Sequence, residues 1–321
     1  MGIWIDMPFF SIITPLYNKE AYFSQTKASV VGQGFSDWEW IIVDDGSTDQ
    51  GPEIARTMAD GDSRIVFATQ KNSGPCSARN HGIRLARGEW VLFLDADDVL
   101  HNSYLEEIYQ RLGNSDFGIH AGGWAEYDAE LAKCVQLHHP VGYGSKNQSR
   151  ALLDAAIAFA PWHPAAAVVR RKLLKGEFLW DEKMNRLMTE DTVFWWRLLA
   201  TKTVKLEKFC GVKYRRGTEG CRDKPENLAK WGESSFYALD SNVNFWIGIR
   251  NQLTSEQVSN LVNVLCSLGK RAEAFGENET ARKAYSMADG FLRKGPRRSF
   301  KNIAMSIFGS KTITSLKYSL K

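Results

Sequence analysis

Apolar residues fall in short unbroken blocks through the first third of the chain, and each block breaks at polar or acidic residues. Phe9 to Ile13, Trp38 to Val43, Arg64 to Ala68 and Glu89 to Leu94 are four such blocks. Runs this apolar predict strands buried on both faces, the condition of a parallel sheet covered by helices. Helix signals stand between them: Pro52 precedes Ile54, Ala55 and Met58, and a later helix carries Arg79 and Asn80. The predicted fold class is α/β, a mostly parallel sheet flanked by helices. Ligands of such sheets gather beyond the carboxyl ends of the strands, so the four breaks are the first places to look for chemistry.

The breaks read Thr14-Pro15-Leu16-Tyr17-Asn18, Asp44-Asp45-Gly46-Ser47-Thr48-Asp49, Thr69-Gln70-Lys71-Asn72-Ser73-Gly74 and Asp95-Ala96-Asp97-Asp98. Pro15 has no N–H to donate and is expected to end the ladder of the first strand. Tyr17 offers an aromatic face. Ser47, Thr48 and Asp49 are ordinary capping types, which leaves Asp44 and Asp45 to be explained. With the fourth strand extended through its end, Asp95 and Asp97 point the same way and can share one hard divalent cation, which prefers oxygen ligands. A lone Asp-Ala-Asp is most simply a polar turn before a helix; three more polar strand ends beside it favour a site.

A second acidic group opens Thr189-Glu190-Asp191-Thr192-Val193-Phe194-Trp195-Trp196-Arg197-Leu198-Leu199. The apolar spacing predicts a helix with Thr189 as N-cap and both acids in the first turn, where the helix dipole favours negative charge. Residues 113 to 148 read as irregular strand and loop rich in Gly and His. His138 and His139 would point apart on a strand and have no evident third ligand, so a surface loop is expected there rather than a metal site. A short helix is expected near Arg150 to Phe159, then Ala160-Pro161-Trp162-His163-Pro164, then an apolar strand from Ala165 to Val169. Trp162 and His163 fit either a sugar platform with a polar contact or core positions beside a kinked strand. From Pro225 the pattern is helical, with periodic runs from Ser255 to Phe275 and from Glu279 to Leu292.

Four stretches, Ser11 to Asn18, Ile42 to Asp49, Asn72-Ser73-Gly74 with Ala78-Arg79-Asn80-His81-Gly82, and Leu94 to Asp98, together resemble the family 2 inverting glycosyltransferases over residues 9 to 112. Each motif alone is weak; their order and spacing are specific. The resemblance implies a GT-A fold binding a nucleoside diphosphate sugar, with uracil the base expected from the family. It implies Pro15, Tyr17 and Asp45 at the base and ribose, Asp44 nearby, and Asp97 as ligand of Mn²⁺ or Mg²⁺ with help from Asp95. Thr14, Asn18, Lys71, Gly74, Arg79 and Ala96 complete the expected donor site. The family's catalytic base is the second member of an acidic pair opening a later helix, which implies Asp191 as base, with Glu190 orienting loops or acceptor. Trp162 and His163 fall near the family's acceptor edge. Val212 to Gly220 resembles the family's loop over the diphosphate, without its usual His, and Arg215 or Arg216 fits either a bidentate phosphate clamp or a basic turn at a strand end. A cation on Asp97 would stabilise the departing diphosphate, and one base on the opposite face implies single displacement with inversion.

The expected layout is a catalytic domain over 1–222, with a nucleotide-sugar half (1–112) and an acceptor half (113–222), then a helical region with a basic tail over 223–321. A chain of 321 residues can bury one large core plus such an appendage. No apolar run is long enough to span a membrane, and the apolar amino terminus, lacking a basic flank and a cleavage site, is expected to lead into the first strand rather than act as a signal peptide. Cys76, Cys134, Cys210, Cys221 and Cys266 include no Cys-x-x-Cys pair and fit a reducing cytosol.

The net charge of +4 is unevenly placed. No acid follows Asp289, while Arg293, Lys294, Arg297, Arg298, Lys301, Lys311, Lys317 and Lys321 lie among apolar residues. Such a tail suits either an anionic membrane surface or a solvated helix packed on its own domain. Nucleic acid is not an expected partner, because the basic excess is confined to the tail. The expected acceptor is a glycan or lipid-linked hydroxyl, as in bacterial surface polysaccharide synthesis, met in the cytoplasm or on the inner face of the membrane. Two rival classes remain: a nucleotidyltransferase, disfavoured because Thr14 to Asn18 contains no glycine, and a catalytically silent nucleotide- or sugar-binding module, which would not need Asp191.

Overall fold

The four apolar blocks are the parallel half of a nine-stranded sheet. β1 (Phe10–Leu16), β2 (Trp38–Asp44), β3 (Ile65–Thr69) and β4 (Trp90–Phe93) run in the order β3-β2-β1-β4, all parallel. This computed structural model describes residues 7–113, 116–140, 143–144, 152, 160–186, 189–218, 237–238, 241–242, 244–246, 248, 254–274 and 278–293. The expected helix near Arg150 to Phe159, most of the first helical segment after Pro225 and the basic tail lie outside those residues, except for isolated positions.

Beyond β4 the sheet is mixed. Its remaining strands are β5 (Val99–Leu100), β6 (Ile119–Tyr127), β7 (Cys134–His138), β8 (Ala167–Arg170) and β9 (Val204–Arg215). β8 is antiparallel to β4 and β6, β9 is parallel to β6 and antiparallel to β5, and β7 forms an antiparallel pair with β6. Within the segment read as irregular strand and loop, residues 119–127 and 134–138 are therefore regular strand. Its glycines are there for close approach, a use of glycine inside strands that sequence alone does not separate from a loop. A Cβ on Gly123 would lie 2.5 Å from the His138 carbonyl oxygen, and one on Gly122 would lie 2.8 Å from that of Phe209.

Pro15 does not end β1, which pairs with β2 as far as Leu16 opposite Asp44. Pairing with β4 stops at Ile13, where Leu94 N donates to Ile13 O. Backbone groups alternate between neighbours, so the donor that Pro15 lacks would have faced the side from which β4 has already departed. The proline marks the mouth of a cleft, not the end of a strand.

Helices α1 (Glu20–Val31), α2 (Gly51–Gly61), α3 (Pro75–Leu85), α4 (Tyr104–Leu112) and α5 (Glu190–Thr201) accompany this sheet. α5 docks through aromatics: Phe194 stacks on Trp180 at 4.1 Å and meets Phe93 of β4 edge-on, while Trp195 meets Trp162. At the amino ends of the strands, buried Glu39 accepts from Ser11 Oγ (2.6 Å), Arg87 N (2.6 Å), Arg87 Nε (2.9 Å) and Gly88 N (3.2 Å). One carboxylate thus gathers β1, β2 and the chain entering β4.

The chain divides into compact units Met1–Leu239 and Asp240–Lys321. In the second, α6 (Ser255–Ala274) and α7 (Asn278–Arg293) pack together, with Gly269 against the ring of Tyr285. Among the described residues no helix is long and apolar enough to cross a membrane.

Two predictions concern stability. A Cβ on Gly82 of α3 would lie 2.3 Å from Ile13 Cγ2, a branched atom fixed in the core. Overpacking should outweigh the helix propensity gained, so Gly82→Ala is expected to lower stability by about 1–3 kcal/mol, seen as a lower urea midpoint at constant slope. His120 of β6 is fully buried, and burial pushes its imidazole down to about 4 against the upward pull of Glu207. The unfolded ring takes its proton near pH 6.5 and the folded ring only near 4. Stability from this group is therefore intact above pH 6.5 and lost as the pH falls through that window. Roughly 2 kcal/mol should be lost from this histidine between pH 7 and pH 5, and His120→Phe should remove that share in urea titrations at the two pH values.

Candidate active site

The loops after β1 and β2 are laced together at the rim. Asn18 adopts φ 50°, a region its short polar side chain tolerates. Its Oδ1 accepts from Thr48 N at 2.8 Å and its N–H donates to Ser47 Oγ at 3.1 Å. Asp44 Oδ1 accepts from Ser47 N at 3.0 Å. Tyr17, beside them, stands 47% exposed.

Asp45 organises the third loop. Its Oδ1 accepts from Gln70 Nε2 and Ser73 N, and its Oδ2 from Gly74 N, each at 2.8 Å. Lys71 stays exposed on that loop. Gly74 has φ +93°, and a Cβ there would lie 2.5 Å from Asn185, whose Oδ1 accepts from Cys76 N at 2.8 Å and so serves the first turn of α3. Thr14 is turned into the core, where it accepts from Trp40 Nε1 at 2.9 Å.

The acids after β4 do not lie on an extended strand. They sit in a turn closed by Asp98 N donating to Asp95 O at 3.1 Å, so the alternation behind a shared cation stops at the strand end. Asp95 Oδ1 accepts from Arg79 Nη2 at 2.6 Å, whereas Asp97 Oδ2 holds Lys19 Nζ at 2.6 Å and accepts from Thr218 Oγ1 at 3.1 Å. Ala96 is buried between them, its carbonyl accepting from Thr26 Oγ1 at 2.9 Å.

Asp98 is buried, with Oδ1 accepting from Arg215 N at 3.0 Å and Oδ2 3.2 Å from His163 Nε2. Burial, reinforced by the charges of Asp97 and Asp95, pushes its carboxyl well above the usual range, and burial pushes His163 down to about 4. Asp95, Asp98 and His163 bring one potential ligand atom each within 4.8 Å of one another. His163 Nδ1, however, accepts from Ala165 N at 3.3 Å. With Nδ1 accepting, the neutral ring carries its proton on Nε2, which lies 3.2 Å from Asp98 Oδ2 without forming a hydrogen bond to it. Asp97 lies outside that set, its Oδ2 held by Lys19 Nζ.

Arg79 of α3 is the centre of the site. It is 3% exposed, lies 4.4 Å over the ring of Trp180, pairs with Asp95, and reaches Glu190 Oε1 with Nη1 at 3.7 Å. Burial alone would lower its pKa; Asp95 and Glu190 outweigh burial and hold it above the ordinary value. Asn80, next along α3, exchanges hydrogen bonds of 2.9 Å with both backbone groups of Trp180. The helix that borders the donor loops is thereby tied to the segment leading into α5.

At the start of α5 the Thr189 hydroxyl makes no cap bond to the helix; instead Asp191 Oδ1 accepts from Thr192 N at 2.7 Å. Glu190 is buried and Asp191 half-buried. Trp162 is no sugar platform here: it is 1% exposed and packed on Trp195, the core position the sequence also allowed. Arg215 is no phosphate clamp either. Its Nε donates to Asp97 O at 2.8 Å, Nη1 to Ala129 O and Nη2 to Gln25 Oε1, with Tyr22 beneath the guanidinium at 5.0 Å. Arg216 pairs with Glu126 at 2.9 Å.

Sequence reasoning missed Lys19, Asp98, Asn185 and Thr218. Lys19 had a readable signal, a lone cation in the first strand-end loop opposite an acidic rim. Asp98 was visible but unassigned, and Asn185 carried no sequence signal.

A family model described as "Glycosyl transferase family 2" matches residues 11–177. The chain is 39% identical over 127 residues to an uncharacterized glycosyltransferase of Haemophilus influenzae, a match covering 39% of this chain and 51% of that protein. It is 43% identical over 101 residues to the putative teichuronic acid biosynthesis glycosyltransferase TuaG of Bacillus subtilis, covering 31% of this chain and 40% of TuaG. The chain thus spans about half the length, or less, of these relatives. The crystal structure of S. aureus TarS residues 1–349 in complex with UDP superposes with a TM-score of 0.56 at 17% identity, covering 89% of this chain and 92% of that one. That likeness is one of fold, and the expected GT-A architecture is borne out.

Because Arg215 works inside the protein, its replacement should act on stability. A lysine cannot span Asp97 O, Ala129 O and Gln25 at once. Arg215→Lys is expected to lose about 1–3 kcal/mol in urea unfolding; unchanged stability would return the residue to the role of a ligand clamp.

Proposed function

The chain belongs to glycosyl transferase family 2, and from that premise we propose that it moves a sugar from a nucleoside diphosphate, UDP first among them, to a hydroxyl of a glycan or lipid-linked acceptor. The observation that carries this reading is Arg79, which joins a donor-side acid, Asp95, to the acidic first turn of α5 in one ion-paired unit. The TarS fragment crystallised with UDP and a relative named for teichuronic acid synthesis support a nucleotide-sugar donor and a surface polysaccharide acceptor. The site of action in this reading is the cytoplasm, with the basic tail against an anionic membrane.

Tyr17, exposed beside Pro15 and Asn18, stacks the base, and the Asp44 and Asp45 loops frame base and ribose. Lys71, Gly74 and Arg79 belong to the same donor site in this reading. Asp97, with Asp95, is the residue to hold Mn²⁺ or Mg²⁺, and such an ion supplies Lewis-acid stabilisation of charge on the departing diphosphate. Asp191 takes the proton of the acceptor hydroxyl as that oxygen bonds to the anomeric carbon and the bond from carbon to diphosphate breaks. A single displacement of this kind inverts the anomeric centre. The helix dipole favours the ionised form of Asp191, whereas the charge of Glu190 is already answered by Arg79. Glu190 is therefore a positioning residue, and His163, with Nε2 3.2 Å from Asp98 Oδ2, stands at the acceptor edge.

Asp191→Asn is expected to reduce transfer by about 10²–10⁴-fold while nucleoside diphosphates still raise the melting temperature as in the unchanged chain. Near-normal transfer would remove Asp191 from the role of base. Stabilisation by a ligand grows as its concentration exceeds the dissociation constant. A thermal-shift panel of nucleoside diphosphates with and without Mn²⁺ should therefore single out one base, with the metal-dependent part lost in Asp97→Ala. No stabilisation by any nucleotide would overturn the nucleoside diphosphate donor, whereas stabilisation without transfer would favour a catalytically silent binding module.

A further inference from the structure

The donor rim contains a cation of its own. Lys19, the residue immediately before α1, is four-fifths buried along its side chain and brings Nζ within 2.6 Å of Asp97 Oδ2, with the ring of Tyr22 5.8 Å away. The Asp97 side chain is only 16% exposed. The same oxygen accepts from Thr218, and the Asp97 backbone carbonyl is occupied by Arg215. The contact is short and charge-assisted, in a partly desolvated place where one carboxylate has room for one close cation.

We propose that Lys19 is the resident counter-ion of Asp97 and that a divalent ion binds this site by exchange, displacing the ammonium from the carboxylate. This rests on the reading of Asp97 as the metal-holding acid. Before exchange, Lys19 keeps the acidic turn neutralised and tied to the loop after β1. After exchange, the ammonium is left at the rim beside the loops that receive the nucleotide. Metal affinity is thus set by a competing residue in the first strand-end loop as well as by the acids themselves.

The test is Mn²⁺ binding followed by electron paramagnetic resonance of the free ion, without donor or acceptor. Lys19→Met is expected to bind Mn²⁺ at least about tenfold more tightly than the unchanged chain, the scale of losing one direct competitor. Lys27→Met, removing an exposed lysine of α1, controls for net charge and should leave the affinity alone. Lys19→Arg keeps a cation on Asp97 and should bind Mn²⁺ no more tightly than the unchanged chain, which keeps the inference testable if the methionine variant folds poorly. Equal affinity of Lys19→Met and the unchanged chain, equal tightening by Lys27→Met, or tightening by Lys19→Arg would each overturn exchange. Asp97→Asn separates the two levels: loss of Mn²⁺ binding there with no effect of Lys19 refutes exchange alone, and retained binding refutes Asp97 as the metal-holding acid, and exchange with it.

Discussion

Carboxylates crowded at the end of an apolar sheet are tolerated only if each is met by a donor or a cation, because charge leaving water is costly and like charges repel. The structure meets that constraint residue by residue. Asp45 is answered by loop amides and Gln70, Asp95 by Arg79, Asp97 by Lys19 and Thr218, and Asp98 by Arg215 N and by a carboxyl pushed well above the usual range, which favours its neutral form. The partners come from almost every element bordering the rim. Neutralising the acids and assembling the cleft are therefore one event.

The burial of Arg79 shows how this reaches the remainder of the fold. A guanidinium removed from water needs its neighbours fixed, and they are: Trp180 by Asn80 and by stacking with Phe194, and Glu190 by the start of α5. α3 is in turn seated on β1 at Gly82 and receives Asn185 at its first turn. The parallel half of the sheet and the helix carrying Asp191 are held in register through the helix between them.

Much of this was legible in the sequence where the signal was local. Four apolar blocks became four parallel strands because an uninterrupted apolar run has few alternatives inside a sheet. The helix from Glu190 was readable from the spacing of Val193, Phe194 and Leu198, and the family itself from the order of the strand ends. Reasoning failed where a residue's task is set by distant chain. Gly122 and Gly123 are strand residues because Phe209 and the end of β7 need the room. Arg215 is structural because Gln25 and Ala129 meet it there. Asp95 and Asp97 take different partners, Arg79 and Lys19, because the chain leaves the strand at Phe93 and turns before reaching them.

Glu39 lies at the other end of the sheet, far in design from the chemistry, yet it has a bearing on how such a protein can change over generations. It answers Ser11, Arg87 and Gly88 together, so three separated stretches of chain share one inherited residue as a common anchor. Drift in any one of them is judged by its effect on the other two. Among the described residues the loops at the opposite rim make no bond to Glu39, so a substitution there leaves this anchor of the frame in place.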